Sequence, residues 1–400
     1  MQLLLNLALA PIVLIWLLPL LSDLMAGAKV LFGARGRPEP VGGEGSPQSL
    51  LILVPAHNES GQIADCVAAI HRMEPTSADV RLIVIADNCS DDTAAKARAE
   101  GAEVWERTNL DLRGKPYAIQ WALDQCDLEQ IDCVSIVDAD AQVHPEFAKA
   151  LDESGALRER AVQTYNALLN PDGGWAALLG DLLGRSKYEG QYQLKARSGL
   201  NAPMTGNGMC MGTGLIRRCG WASDALTENW EMYARFTLAG ERIDLVIDAR
   251  VASIEPEAVE DSTVRRRRWQ AGKWSVLKKY AIPLMTRPGL SLHQRIDLLA
   301  ELVSPGPVAH AGIGFGLGAL VVLLAPAWPT TVLGLALIAS PLPTVFWTGH
   351  AIAGHPEPGK VLKAMFRLPF YLLWRLTILP RALPTYLSGG WRRSPRADDA

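Results

Sequence analysis

CVSIVDADAQVHPEF, residues Cys133 to Phe147, opens with a short apolar run, Cys133–Val137, of the kind that forms a buried parallel strand. The run ends directly in Asp138-Ala139-Asp140, and Pro145 predicts the first turn of a helix. Two carboxylates spaced i, i+2 where an inner strand ends stand at the carboxyl edge of an open α/β sheet, where ligands bind. Their hard oxygens suit a divalent cation, Mg2+ or Mn2+, carrying a diphosphate. A D-x-D tripeptide alone arises by chance about once in a chain of this size, so its placement carries the reading.

The flanking sequence supplies the rest of an α/β domain. Upstream, Ser49–Pro55 and Arg81–Ala86 are buried-type strands, the second ending at Asp87-Asn88, and Ala102–Trp105 reads as a short third strand. Between them, Ser60 is placed to cap a helix through about Met73, and Ser90 or Asp91 one over Asp92–Glu100, closed by Gly101. Gly114–Asp124 is expected to be helical. This alternation predicts a mainly parallel, doubly wound sheet. No G-x-G-x-x-G follows the first strand, which argues against a dinucleotide-binding domain. Downstream, strands are expected at Ala161–Ala167, Ile243–Ile247 and Arg250–Ile254, and helices at Trp175–Arg197 and Thr227–Ala239, the last capped by Thr227 and stopped by Gly240. A glycine-dense turn, Thr205–Gly214, precedes Leu215-Ile216.

Composition adds a membrane. Hydrophobic residues make up 49% and charged residues 20%, and no Asp, Glu, Lys or Arg occurs between Leu302 and Pro356. The net charge of −3 is segregated: Arg265 to Lys279 holds seven basic residues and no acidic one. A basic run beside apolar helices fits membrane lipids and diphosphates, and no nucleic-acid polymer is expected as partner. Six cysteines without a C-x-x-C pair read as free thiols in a reducing cytoplasm and argue against zinc.

The expected organisation is therefore an N-terminal anchor (1–26), a Gly/Pro-rich linker (27–48), a cytoplasmic catalytic domain (49–281), an interfacial helix region (282–304), two transmembrane helices (305–350), and an interfacial or membrane helix with a basic tail (351–400). Met1–Leu21 is long enough to span. Lys29, Arg35 and Arg37 follow it and no positive charge precedes it, which favours an uncleaved anchor over a signal peptide cut at Ala26-Gly27-Ala28. Leu290–Val303 is predicted to lie on the membrane surface, and Gly306–Leu324 and Thr331–Trp347 to span it. Gly312, Gly314, Gly316 and Gly318 form two overlapping G-x-x-x-G pairs suited to close helix packing. Val361–Leu383 carries four basic residues and reads as interfacial rather than spanning.

The order of motifs resembles that of membrane-bound family 2 glycosyltransferases, the group of cellulose, hyaluronan and chitin synthases: VPAHNE at 54–59, IADNCSDDT at 85–93, GKPYAIQWAL at 114–123, VDAD at 137–140, GNGMC at 206–210, TENWEM at 227–232, RRRRW at 265–269 and WRRSPR at 391–396. The resemblance implies the GT-A fold with N- and C-terminal membrane helices, in a bacterial inner membrane with the catalytic domain cytoplasmic. It implies inverting transfer from a nucleotide-diphosphate sugar, a UDP-sugar first, to a lipid-linked or glycan acceptor, with Mg2+ or Mn2+. By the same resemblance Pro55, Glu59, Asp87, Lys115, Asp138, Asp140, Arg265 and Arg268 bind the nucleotide sugar, and Asp140 with Asp138 holds the metal.

Two motifs depart from the family pattern. Where the family has T-E-D, with the Asp as general base, this chain has Asn229, an amide that cannot take a proton. Glu228 or Glu231 is the expected substitute; otherwise the acceptor is acidic enough to need no base, or the enzyme is impaired. Where the family has Q-x-x-R-W, Arg265 replaces the Gln while Arg268 and Trp269 match, as a clamp on the diphosphate and a stacking face for a sugar. Loss of the Gln puts a processive polysaccharide synthase second to single transfer. A non-catalytic membrane scaffold that kept the fold is the alternative from another class.

Overall fold

A computed structural model of the chain describes residues 2–33, 49–155, 157–221, 224–255 and 259–388. Residues 34–48, most of the expected linker, and the WRRSPR motif lie outside the described residues. The chain divides into two compact units, Pro38–Pro171 with Asn201–Arg265, and Met1–Arg37 with Asp172–Leu200 and Arg266–Ser388.

The first unit is an α/β sandwich around one mixed sheet. Its strands are β1 (Ser49–Ala56), β2 (Asp79–Asp87), β3 (Glu103–Arg107), β4 (Cys133–Ile136), β5 (Ala141–Val143), β6 (Ala161–Leu168), β7 (Met209–Gly212) and β8 (Ile243–Ser253), in the order β3-β2-β1-β4-β7-β6-β8-β5. β1 to β4 pair in parallel as the strand–helix alternation predicts, because each return passes through a helix such as Ile63–His71 or Lys115–Leu123. Leu50, Ile52 and Val54 of β1 and Val84 of β2 enter one buried core with Ile63, Val67 and Ile70.

Three elements differ from expectation. The glycine-dense turn contains β7, which runs antiparallel to both β4 and β6 and makes the sheet mixed. Gly208 makes this possible: it has φ +67°, and a Cβ there would stand 2.1 Å from Thr164 Oγ1. The chain after Asp140 forms β5, paired antiparallel with β8, before the helix Phe147–Glu153 begins two residues past Pro145. The two strands expected at 243–254 are one strand, with an irregularity in its pairing to β6 where Thr164 faces Val246 and Tyr165 faces Arg250.

The second unit holds the apolar helices. Gln2–Leu31, Pro307–Leu324 and Trp328–Ala353 are long and apolar enough to cross a membrane, the last broken at Ser340-Pro341 between the helices Trp328–Ala339 and Leu342–Ala353. Helix Gln2–Leu31 runs through Ala26-Gly27-Ala28, with Ala26 buried. It is tied to later helices by Trp16 Nε1 to the His310 carbonyl (3.1 Å) and Ser22 Oγ to Asp297 Oδ1 (2.7 Å). Of the glycine pairs, Gly314 and Gly318 meet the following helix: Cβ atoms there would stand 3.0 and 2.7 Å from the carbonyl oxygens of Leu337 and Gly334. Gly316 faces open space.

The stretch expected at Trp175–Arg197 is three segments: the helix Trp175–Arg185, one π-helical turn at Ser186–Gln191, and the helix Tyr192–Arg197. The helix Leu292–Val303 begins with a Ser291/Gln294 capping box. Its polar stripe, His293, Asp297 and Glu301, is buried in protein.

Candidate active site

Loops at the carboxyl ends of β1, β2 and β4 bring the sequence motifs together. The two loops after β1 and β2 are knitted by their side chains. Ser90 N–H donates to Asn58 Oδ1 (2.7 Å), Glu59 N–H to Thr93 Oγ1 (2.8 Å), and Ser60 N–H to Asp91 Oδ2 (3.2 Å). Asn58 and Asn88 both take left-handed φ, 54° and 52°, which Asn tolerates better than most residues. Ser60 is spent on this tie, and the helix after it starts at Ile63 with no side-chain cap. Pro55 lies beyond the last β1–β4 rung, Leu53 opposite Ile136, where a missing N–H costs no ladder bond to β4.

Asp87 ends β2 and is buried. Its Oδ1 accepts from Arg107 Nη1 of neighbouring β3 at 2.5 Å and from Asn88 Nδ2 at 3.0 Å, and its carbonyl lies 2.7 Å from His57 Nδ1. Arg107 Nη2 also donates to the Leu112 carbonyl (2.7 Å), fixing the loop that leads to Lys115.

Lys115 is the centre of the site. Its Nζ donates to Asp138 Oδ1 at 2.6 Å and to the Gly206 carbonyl at 2.7 Å, and lies 3.3 Å from Glu228 Oε1. Burial works against this ammonium, but the carboxylates of Asp138 and Glu228 more than offset it and raise its pKa. Burial also raises the Asp138 carboxyl; Lys115 opposes the rise, and the negative charges of Asp140 and Glu228 add to it. Asp138 therefore has one ammonium and two further carboxylates, Asp140 and Glu228, acting on it, an excess of negative charge that a divalent cation would relieve. Among the described residues no three or more Asp, Glu, His or Cys side chains are placed to hold a metal ion together, so Asp138 and Asp140 would hold such an ion with oxygens from water and a bound diphosphate.

The helix Glu228–Ala239 begins at this point and ends at Gly240, as its sequence predicts. Thr227 occupies the N-cap, but its Oγ1 accepts no helix N–H, and among the described residues that buried atom has no partner. Glu228, Asn229 and Glu231 are all buried. Their surroundings differ. Glu228 meets Lys115, while Asn229 Nδ2 donates to the Met204 carbonyl at 2.9 Å and its side chain packs against Gly206. Glu231 lies one turn further along the helix.

Asn207 is a residue the sequence reading passed over. Its Oδ1 accepts the Asp138 N–H at 3.0 Å, which fixes the amide's orientation, and its buried Nδ2 has no partner among the described residues. Arg107 was likewise missed. Their signals were an Asn inside the GNGMC motif and a lone Arg closing a strand opposite Asp87.

The RRRRW motif falls across the unit boundary. Arg265 donates from Nη2 to Glu255 Oε2 at 2.6 Å in the first unit. In the second, Arg266 stacks over the Trp374 ring at 5.5 Å, Arg268 is half-buried, and Trp269 is 37% exposed.

The family model described as glycosyltransferase like family 2 matches residues 47–272, more than half of the chain. The chain belongs to that family. The glycosyltransferase also shares its fold with the mannosyltransferase PcManGT from Pyrobaculum calidifontis, solved in complex with GDP-Man and Mn2+: TM-score 0.57, 17% identity, covering 96% of this chain and 97% of that one. A glucosyl-3-phosphoglycerate synthase from Mycobacterium tuberculosis, solved with Mn2+, UDP-glucose and phosphoglyceric acid, matches at a TM-score of 0.42 and 20% identity, over 58% of this chain and 80% of that one. No curated protein matches. The GT-A fold expected from the motifs is thus the fold of this glycosyltransferase.

Proposed function

We propose that this glycosyltransferase is an inverting enzyme that moves a sugar from a nucleotide-diphosphate sugar, a UDP-sugar, to a hydroxyl of a lipid-linked or other amphipathic acceptor at a membrane surface. The observation that carries the reading is the Lys115 node, in which one ammonium joins Asp138 of the D-x-D to Glu228 of the T-E-N. Donor binding and proton removal need groups on the two sides of one anomeric carbon, and this contact holds both motifs at one place.

In the mechanism, Asp138 and Asp140 would hold a divalent cation, which would supply charge neutralisation for the leaving diphosphate. Asp87, Glu59 and Pro55 line the nucleoside side at the ends of β1 and β2. The motif resemblance assigns Arg265 and Arg268 to the diphosphate and Trp269 to the sugar. Asn207 Nδ2 is a ready donor to the donor's sugar or phosphate oxygens. Glu228 takes the acceptor hydroxyl's proton as its oxygen forms the new bond to the anomeric carbon and the diphosphate leaves from the opposite face. Glu231 is the other candidate for that role. Purified protein given Mn2+ and UDP-sugars should release UDP, and single additions should dominate the products. No nucleotide release from any nucleotide sugar would sink the enzyme reading in favour of a scaffold, and a ladder of long products would favour processive synthesis.

The three apolar helical stretches support a multi-pass protein of a bacterial inner membrane. The hydrogen bonds of Ser22 and Trp16 support a retained anchor. With the positive-inside rule, the catalytic unit and the basic tail face the cytoplasm. Cysteines placed at Glu44 and Arg396 should then resist labelling from outside intact cells. Labelling at either position would overturn this orientation, and labelling at both would reopen the signal-peptide reading.

A further inference from the structure

Asn207 and Thr227 are 3% and 4% exposed, and each buries a polar atom that has no hydrogen-bond partner among the described residues. The atoms are the Nδ2 of the first and the Oγ1 of the second. A polar atom removed from water and given no partner is costly to keep.

The orphaned nitrogen stands out because the turn around it is otherwise well matched. The Met204 carbonyl accepts from Asn229 Nδ2 (2.9 Å), Thr205 N–H donates to Gln163 Oε1 (2.8 Å), and the Gly206 carbonyl accepts from Lys115 Nζ (2.7 Å). The Asn207 carbonyl accepts from Gln163 Nε2 (3.1 Å). Gly208 N–H donates to the Ile136 carbonyl (2.8 Å), and the Gly208 carbonyl accepts from Thr164 Oγ1 (2.9 Å). Turning the Asn207 amide over would not help, because its nitrogen would then face the Asp138 N–H that its oxygen now accepts. Thr227 is unusual in another way. It holds the N-cap with extended backbone, φ −141° and ψ 102°, where a threonine ordinarily turns its hydroxyl onto the N–H groups of the first turn. Here the hydroxyl forgoes that bond and has no other among the described residues.

The two atoms belong to segments that touch. Lys115 Nζ bonds the Gly206 carbonyl and lies 3.3 Å from Glu228 Oε1, and a Cβ on Gly206 would stand 3.6 Å from the Asn229 side chain. Both segments therefore border the place where the D-x-D begins. An amide N–H needs an acceptor, whereas a threonine hydroxyl is satisfied by either a donor or an acceptor. A sugar hydroxyl offers both. A phosphate oxygen not bound to a cation would also serve, but it would add negative charge beside Asp138, on which Asp140 and Glu228 already act. A neutral hydroxyl adds none.

We propose that Asn207 Nδ2 and Thr227 Oγ1 recognise hydroxyl groups of the transferred sugar, the amide donating to one and the threonine bonding the same or a neighbouring one. This assignment rests on the transferase reading above and adds the groups that select the sugar. The sugar enters as the turn at 204–208 parts from the start of the helix Glu228–Ala239, and both atoms are matched once it is in place. A site built in this way rejects a donor that lacks the hydroxyl, because its own groups are then left unpaired.

Thr227→Val is the informative change, since it keeps the shape and removes the oxygen. The full chain in detergent with Mn2+ is titrated with UDP, UDP-glucose, UDP-galactose and UDP-N-acetylglucosamine, and then with monodeoxy forms of the tightest sugar donor. Thr227→Val should bind UDP as the native protein does and that donor about tenfold more weakly, and Thr227→Ser should restore the affinity. Its thermal midpoint without ligand should equal or exceed the native one, because a methyl has replaced an unmatched buried hydroxyl. One monodeoxy donor should show a similar loss on the native protein. Asn207→Asp keeps the acceptor for the Asp138 N–H and removes the donor, so it too should lose affinity for the sugar donor relative to UDP. It carries the test if Thr227→Val does not fold. Unchanged sugar-donor affinity in both variants, equal losses for UDP and the sugar donor, or native protein that binds none of the three donors would overturn the assignment. Sugar-dependent binding that these variants weaken, in a protein that releases no UDP, would instead sink the catalytic reading and leave the sugar site standing.

Discussion

Glu228→Gln should lower transfer by about two to four decades, the range a positioned general base contributes, while the protein still binds donor and acceptor. The change keeps size and hydrogen-bonding capacity and removes the basic oxygen. The competing explanation is electrostatic, because Glu228 also faces Lys115 at 3.3 Å and its loss could disturb the ammonium that holds Asp138. The two are separable. A base imposes an acidic limb on the pH–rate profile, and that limb should vanish in the variant, whereas a disturbed Lys115 would weaken donor binding and keep the limb. Asn229→Asp is the complementary change. The native amide donates to the Met204 carbonyl, which a carboxylate cannot do, so the variant should loosen the turn at 204–208 without raising turnover. A large gain from Asn229→Asp, or full activity in Glu228→Gln, would return the base to the family's position or remove it altogether.

Much of the first unit was legible because its signals are local. β1, β2 and β4 are continuous apolar runs that could only be buried parallel strands, and the motifs stand at their ends. β5 and β7 were not legible. Ala141–Val143 is too short to show a period, and Met209–Gly212 hides among glycines whose role depends on Thr164, over 40 residues away in sequence. The amphipathic pattern of Leu292–Val303 was visible, but a pattern gives two faces and not their environments. Lys195 and Ser22 turn the polar face inward, and no local rule could find those partners. In the site, sequence named the candidates for the base; the contact with Lys115 separates Glu228 from its neighbours. Asn207 escaped because an unmatched amide nitrogen exists only once the Asp138 N–H has claimed the oxygen.

Asp140→Asn should abolish metal-dependent donor binding and cut transfer by about three decades, several kcal/mol of charge stabilisation at the leaving diphosphate. Folding should survive. Asp140 is half-buried at a strand's end, and its backbone position is set by β4 and β5 on either side. The charge balance also predicts the sign of the effect without metal. Asp140 raises the Asp138 carboxyl, so removing its charge relieves repulsion in the empty site and should leave metal-free stability equal or slightly greater. The expected signature is therefore a pair: a thermal midpoint that no longer rises when Mn2+ and UDP are added, from a baseline at or above that of the native protein. A variant that keeps the Mn2+-dependent rise would remove Asp140 from the metal. A variant that loses stability before any ligand is added would make Asp140 a structural residue, and the excess negative charge around Lys115 would then need another explanation.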